Sequence, residues 1–446
     1  QQPTTNNQQP STQMLLVYTH KVTPRLRYAF KHICTRILGV EVSFTNKIVE
    51  FIAHDSIKMS YTKQPLSNEF FIKNNDILFE QGLSDIDISV HDWDNTKCFF
   101  YNGEKGALPF DIFSAAFYLL SRYEEYLPQV RDKYGRFAAT ESLAFKNGFL
   151  QQPVVDIWAY KFKAALQEHF PEFEFPCKSY RIKPLIDVPT AYLYQSKGLL
   201  RSVIGAFKDL FQFKFKSLYV RFAVNLHLEH DPYDIYKYIL NKQKQYNFKF
   251  LFFFLVGDIS TYDRGISPNN KSYVSLIKHV SDYCDVGLKV SFFAIENKTI
   301  LKEEKRKIED ILNISLQASR QSFSKVNLPE SYRNLVELEV HNDYTMGYIN
   351  HMGFRAGTCT PFFFYDLDYE TQTPLKIHTY HTMDYALLKQ RSLLDKKKML
   401  NGIMDQIKAV NGEFVPVFHN YTFSDVPRWN GFKELFNMIL NSTDGN

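Results

Sequence analysis

The stretch PLIDVPTAY at 184–192 places Asp187 at the end of an apolar run and Pro189 two residues later. Two carboxylates at the end of a buried strand are a familiar way to hold a divalent ion beside a general base. Here one carboxylate is present, and the second place holds a residue that can bind nothing. Further polar residues fall at or just beyond the ends of later apolar runs: Asp258, Lys289, Ser322, Asp343, Asp384 and His419. Function gathers at the C-terminal ends of parallel strands, so these positions are the candidates for chemistry. Lys289 is the most informative. It lies within a run that reads as a core strand, where an unpaired ammonium is costly. If buried it loses its proton or pairs within about 4 Å, with Asp187 the expected partner; the alternative is that its ammonium reaches solvent from the strand end.

Other combinations carry less. His227 and His230 stand at i, i+3 before a turn-like stretch, and His378 and His381 point to opposite faces of a strand. His341 precedes Asp343 by two residues and shares its face, so a replacement ligand pair there is conceivable. Ser322 sits in SRQSF, which is no strained nucleophile elbow. Cys359 reads as small-residue packing.

The frame for these residues is an alternation of strands and helices beyond residue 178. Strand-like runs cover 179–187, 248–256, 285–292, 314–320, 335–342, 375–383 and 413–420. Seven alternations argue an α/β fold, either a barrel or a doubly wound sheet. A long helical insertion, 193–247, separates the first two strands. Residues 14–178 mix short strands with helices and read as an α+β domain. One helix is expected over 111–127, capped by Asp111, and a second near 156–168. Residues 1–13 are polar and low in complexity, and are expected to be a disordered extension before Met14.

Composition narrows the function classes. The 446 residues are 45% hydrophobic and 23% charged, as in globular proteins. A net charge of +5 with interspersed signs is far from a nucleic-acid footprint. The five cysteines are scattered without a CxxC, which argues against a disulfide framework and for a reducing, cytoplasmic setting. The sequence lacks an apolar run of about 18 residues, so no membrane span is expected. Forty Phe and 28 Tyr fit large cores or a sugar-stacking groove.

Residues 179–425 resemble the polysaccharide deacetylases of carbohydrate esterase family 4. The chain from Met14 onward resembles the Bacteroidetes members that carry an extra N-terminal domain. The stretches responsible are LIDVPTAY, FFFLVGDISTYDRGISPNN, VGLKVSF, SRQSFSKVNLPESYRNL, DYTMGY, GFRAGTCTPFFFYDL and VFHNYTFSD, in that order. The resemblance implies a distorted (β/α)7 barrel after an α+β domain, and removal of acetyl groups from N-acetylated sugars with a divalent metal, commonly zinc. It puts Asp187 at the general base, Arg355 at the arginine that pairs with that base, and His419 at the general acid. Where it expects an aspartate and two histidines as metal ligands, this chain has Pro189, Lys289 and Ser322. Open catalytic zinc sites need three protein ligands, almost always His, Asp, Glu or Cys. No bound metal or other cofactor is therefore expected.

Three readings follow. In the first, a metal-free pseudoenzyme binds an N-acetylated oligo- or polysaccharide in surface-polysaccharide production. In the second, an altered hydrolase works without metal through Asp187, Lys289, Arg355 and His419. In the third, the chain is a scaffold for a protein partner that the sequence does not identify. An open, aromatic-lined groove at the strand ends favours the first two; a groove plugged by Pro189 and Phe292 favours the third.

Overall fold

The computed structural model describes residues 14–103, 106–246 and 248–442. The expected extension 1–13 lies outside them. The chain divides into two units. The first comprises 1–128, 147–179 and 356–373; the second comprises 129–146, 180–355 and 374–446. Two segments thus fall on the other side of the single boundary expected near 178.

In the first unit, β1 (Met14–Tyr18), β2 (Glu41–Thr45), β3 (Lys58–Thr62) and β4 (Phe71–Lys73) form a parallel sheet in the order β2-β1-β3-β4. Helix α1 (Pro24–Phe30) starts at Thr23, whose hydroxyl accepts the Leu26 N–H at 3.1 Å. Pro24 takes the first helical position, where a missing N–H costs nothing. Asp111 caps α2 (Ile112–Leu120), accepting the N–H groups of Phe113 and Ser114 at 3.1 and 3.2 Å. The helix stops at Leu120 rather than running to 127. Arg122 turns left-handed at φ +55°, and its buried guanidinium binds Glu124 and Glu125, each at 2.8 Å. Helix α3 (Val154–His169) covers the second expected helix.

The second unit is mixed α/β around a parallel sheet. Its strands are β5 (Leu185–Val188), β6 (Leu251–Leu255), β7 (Asp285–Val290), β8 (Ala318–Gln321), β9 (Asn342–Asp343), β10 (Thr371–Ile377, of which 374–377 belong to this unit), β11 (Thr382–Met383) and β12 (Pro416–His419). They lie in the order β10-β9-β8-β7-β6-β5-β12-β11, every neighbour parallel. β6 reads LFFFL and is buried throughout, the pattern of a parallel strand covered on both faces. No ladder among the described residues joins β11 to β10, so the sheet is open and the expected closed (β/α)7 barrel is not found. The strand expected over 335–342 is also corrected. Glu330–Glu337 is a helix that buries Tyr332 and Leu335 one turn apart, and only Asn342–Asp343 pairs as strand.

The helical insertion contains α4 (Leu199–Phe211) and α5 (Phe215–Asn225). Helix α6 (Lys298–Leu312) packs Glu304 against the sheet. Glu304 Oε2 accepts the Ser291 N–H at 3.0 Å. A Cβ at position 257 would come within 2.3 Å of Glu304 Oε1, which accounts for Gly257 after β6. Burial pushes the Glu304 carboxyl up to about 7, and the Ser291 hydrogen bonds only partly oppose this. The folded state therefore keeps a proton that the unfolded chain releases above its ordinary value of 4.5. Stability is fully present below that value and falls as pH rises through about 7. The expected loss is about 2–3 kcal/mol. Denaturation midpoints of the wild type should fall between pH 5 and 8, while those of Glu304→Gln should fall less.

Candidate functional site

Parallel strands bring their C-terminal ends to one side, and the register aligns the candidate residues there. His419 is the register partner of Asp187 across β12 and β5, and Lys289 is the partner of Arg320 across β7 and β8. β6 separates β5 from β7, and Asp187 is level with Gly287, so Lys289 lies two residues further along and roughly 12 Å from Asp187 at the backbone. Only a long side chain bridges that gap; Lys289 does, and Arg320 reaches Asp187 from one strand further away, on β8. Lys289 Nζ donates to Asp187 Oδ2 at 2.9 Å. Arg320 Nε lies 3.0 and 2.9 Å from the two Asp187 oxygens. All three side chains are buried.

Burial alone would raise the Asp187 carboxyl, but Arg320 and Lys289 hold it well below the usual carboxylate range. Burial pulls Lys289 down against the opposing pull of Asp187. Burial also opposes the Arg320 charge, which Asp187 more than offsets. Arg320 is fixed further: its Nη1 donates to the Tyr344 carbonyl and its Nη2 to Ser324 Oγ at 3.3 Å, and its guanidinium lies 4.6 Å from the Tyr380 ring centroid.

On the other side of Asp187, the His419 Nδ1 faces Asp384 Oδ2 at 2.9 Å. Asp384 also accepts the His419 backbone N–H at 2.7 Å and the Thr422 hydroxyl. With Nδ1–H committed to Asp384, Nε2 is the free nitrogen. It lies 3.8 Å from Asp187 Oδ2. Tyr421 stacks on the imidazole at 4.8 Å.

Asp187, Lys289, Arg320, His419 and Tyr421 line an open cavity of about 400 Å³, with Pro189, Ser322, Tyr262, Phe323 and Tyr385 on its walls. Pro189 borders the cavity without closing it, and Phe292 stacks on Tyr262 at 4.1 Å. Two elements of this wall have no counterpart in the sequence reading. Asp263 follows β6; its carboxylate accepts the Phe292 N–H at 2.7 Å and the Ser322 hydroxyl at 3.3 Å. Burial raises Asp263, and the Phe292 N–H and the Lys289 charge oppose that rise. Tyr134 and Arg136 come from 129–146. There Asp132 folds a turn by accepting the N–H groups of Tyr134 and Arg136 at 2.9 and 3.0 Å. Arg136 then donates to the Phe323 carbonyl at 2.9 Å. Phe323 and Ser324 are both left-handed, at φ +59° and +48°, a strained pair in the loop beneath the cavity.

The remaining candidates fall elsewhere. Arg355 does not line this cavity; it lines an adjoining one, where its Nη1 donates to the Gly347 carbonyl at 3.3 Å. The arginine against Asp187 is Arg320. Asp343 is buried, accepting from Ser319 Oγ at 3.1 Å and Thr345 N at 2.9 Å. Asp258 is exposed and meets Lys307 at 3.2 Å, and His341 is exposed. His378 binds Asn342 at 3.1 Å, and His381 accepts the Val415 N–H at 3.2 Å.

The donor set does not fit a divalent metal. Pro189 offers no ligand, Ser322 turns its hydroxyl to Asp263, and the Lys289 ammonium is already bonded to the carboxylate. Among the described residues, no group of three or more His, Cys, Asp or Glu is arranged to hold a metal ion. No helix of the described residues is long and apolar enough to cross a membrane.

Residues 15–171 match the model of a family of unknown function, DUF7033. No curated protein matches the chain. Solved structures similar at low identity include the following three. A Mycobacterium smegmatis protein assigned as a polysaccharide deacetylase is 11% identical, with a TM-score of 0.39 over 60% of this chain and 86% of its own. A pseudoenzyme of the CE4 family from Bacillus anthracis is 10% identical, with a TM-score of 0.30 over 59% and 62%. A polysaccharide deacetylase from Bacillus cereus is 14% identical, with a TM-score of 0.28 over 58% and 89%.

Proposed function

We propose that the second unit is a deacetylase-like, metal-free pseudoenzyme that binds an N-acetylated oligo- or polysaccharide. The observation that carries this is the Lys289 ammonium, 2.9 Å from Asp187, inside an open cavity walled by aromatic rings. Amide hydrolysis needs an activated water. A base works best with a pKa near the working pH. Asp187, gripped by two cations, is held far below that. Lys289 can donate to an oxyanion or a carbonyl oxygen but cannot generate a hydroxide. The cavity therefore keeps groups suited to holding an acetamide and lacks those that would cleave it. Tyr262, Tyr385 and Tyr421 supply faces for sugar rings, with polar groups beside them.

Calorimetric titration with N-acetylglucosamine oligomers tests this. Saturable binding is expected, weakened roughly tenfold by Tyr262→Ala combined with Tyr385→Ala. No binding by the folded wild type would leave the scaffold reading instead.

One observation favours a metal-independent hydrolase: His419 keeps its Nδ1 on Asp384 and a free Nε2 near Asp187, the posture of a positioned acid. Acetate release without metal, abolished by Asp187→Asn and by Lys289→Ala, would establish it.

A further inference from the structure

The geometry points to a second binding surface: the α4–α5 hairpin docks onto an anionic lipid surface. Its outer residues are apolar and uncovered. Phe207, Phe211, Phe213, Phe215, Tyr219 and Phe222 are 59, 78, 79, 61, 65 and 54% exposed. Of the 27 large apolar or aromatic side chains exposed among the described residues, 11 fall within 203–228. Soluble monomers rarely expose so much apolar surface in one place. Between the two helices runs a trough of about 620 Å³, walled by Val203, Phe207, Leu210, Leu218 and Phe222.

Charge identifies the occupant. Residues 197–226 carry six cations, Lys197, Arg201, Lys208, Lys214, Lys216 and Arg221, and one acid, Asp209. That acid is already taken, since Arg221 Nε and Nη2 bind it at 3.0 and 2.7 Å. Exposed Lys208, Lys214 and Lys216 are interleaved with exposed Phe207, Phe211, Phe213 and Phe215. Lysine is depleted at protein–protein interfaces. Phenylalanine interleaved with lysine is the make-up of helices that lie in a bilayer interface, rings among acyl chains and ammonium groups among phosphates.

The hairpin has a fixed base. Asp231 accepts the N–H groups of Leu193, Tyr194 and Gln195 at 2.8, 2.7 and 3.0 Å. Arg201 donates to the Gly265 carbonyl at 3.3 Å, two residues from Asp263 at the cavity wall. Docking would thus hold the cavity close to the lipid headgroups. The proposal does not depend on what the cavity binds.

Co-sedimentation of the full chain with phospholipid vesicles tests it. Vesicles with about one third phosphatidylglycerol should bind at least tenfold more tightly than pure phosphatidylcholine, with loss at high salt. Phe211→Ser with Phe213→Ser, and separately Lys214→Glu with Lys216→Glu, should each weaken binding about tenfold or more. All four side chains are exposed, so thermal unfolding should not move. Equal binding to both vesicles, or binding to neither, would overturn the proposal. A dimer in sedimentation velocity that Phe211→Ser with Phe213→Ser dissolves, without vesicle binding, would assign the face to a second copy.

Discussion

Asp187→Asn is expected to destabilise the second unit by about 3–5 kcal/mol, the cost of leaving buried cations without their counter-charge. Asp187 is the carboxylate that Lys289 and Arg320 share, and Arg320 reaches both of its oxygens. Lys289→Met should cost less. The thioether chain fills most of the volume, and Asp187 keeps Arg320. Thermal unfolding of the full chain reads both. The effect has a sign in pH. The folded carboxyl lies below its ordinary 3.8, so its contribution is fully present above that value and is lost as pH falls through the folded one. The gap between wild type and Asp187→Asn should therefore hold near neutrality and narrow in acid. A neutral or stabilising Asp187→Asn at pH 7 would mean that the buried pairing is not what the distances indicate.

The second large effect concerns metal. Combining Pro189→Asp, Lys289→His and Ser322→His is expected to create zinc binding at about one ion per chain, with none in the wild type. The three positions border one cavity. Removing Lys289 also frees Asp187 from one of its two cations. Any one of the three changes alone supplies a single new ligand and should not retain zinc through dialysis. Metal analysis of the purified variants reads this directly. Equal zinc in the wild type and the triple variant would point to ligands elsewhere in the chain.

The legibility of the site followed the strands. Asp187, Lys289 and His419 stood at the ends of apolar runs; parallel register then paired His419 with Asp187 and set Lys289 two residues further along the sheet. The cost of a buried ammonium made the Lys289–Asp187 contact one of two expectations, beside a lysine that reaches solvent from the strand end, and the structure shows the contact. Arg320, in SRQSF, is not among the site residues expected from the sequence. Its pairing shows only in the fold, where it is the register neighbour of Lys289 and the two buried cations share one anion. Arg355 was preferred on resemblance, and the chain sends it to another cavity. Asp263 follows β6 in a loop, where no periodicity marks a residue. Tyr134 and Arg136 lie far earlier in the chain, in a segment that read as part of the first domain. In the fold the Gly135 N–H closes a turn on the Asp132 carbonyl at 2.8 Å, with Gly135 at φ +75°. The strand misread over 335–342 shows the usual ambiguity of short apolar runs, where helix and strand patterns coincide.

Acetate release from N-acetylglucosamine oligomers, measured on protein whose zinc content is determined in the same sample, tests the metal-free site most directly. The expected result after exposure to zinc and removal of the excess is no bound metal and no acetate, from protein that still binds the oligomers. Stoichiometric zinc with zinc-dependent acetate release would contradict it, and would mean that Lys289 yields its place to a metal.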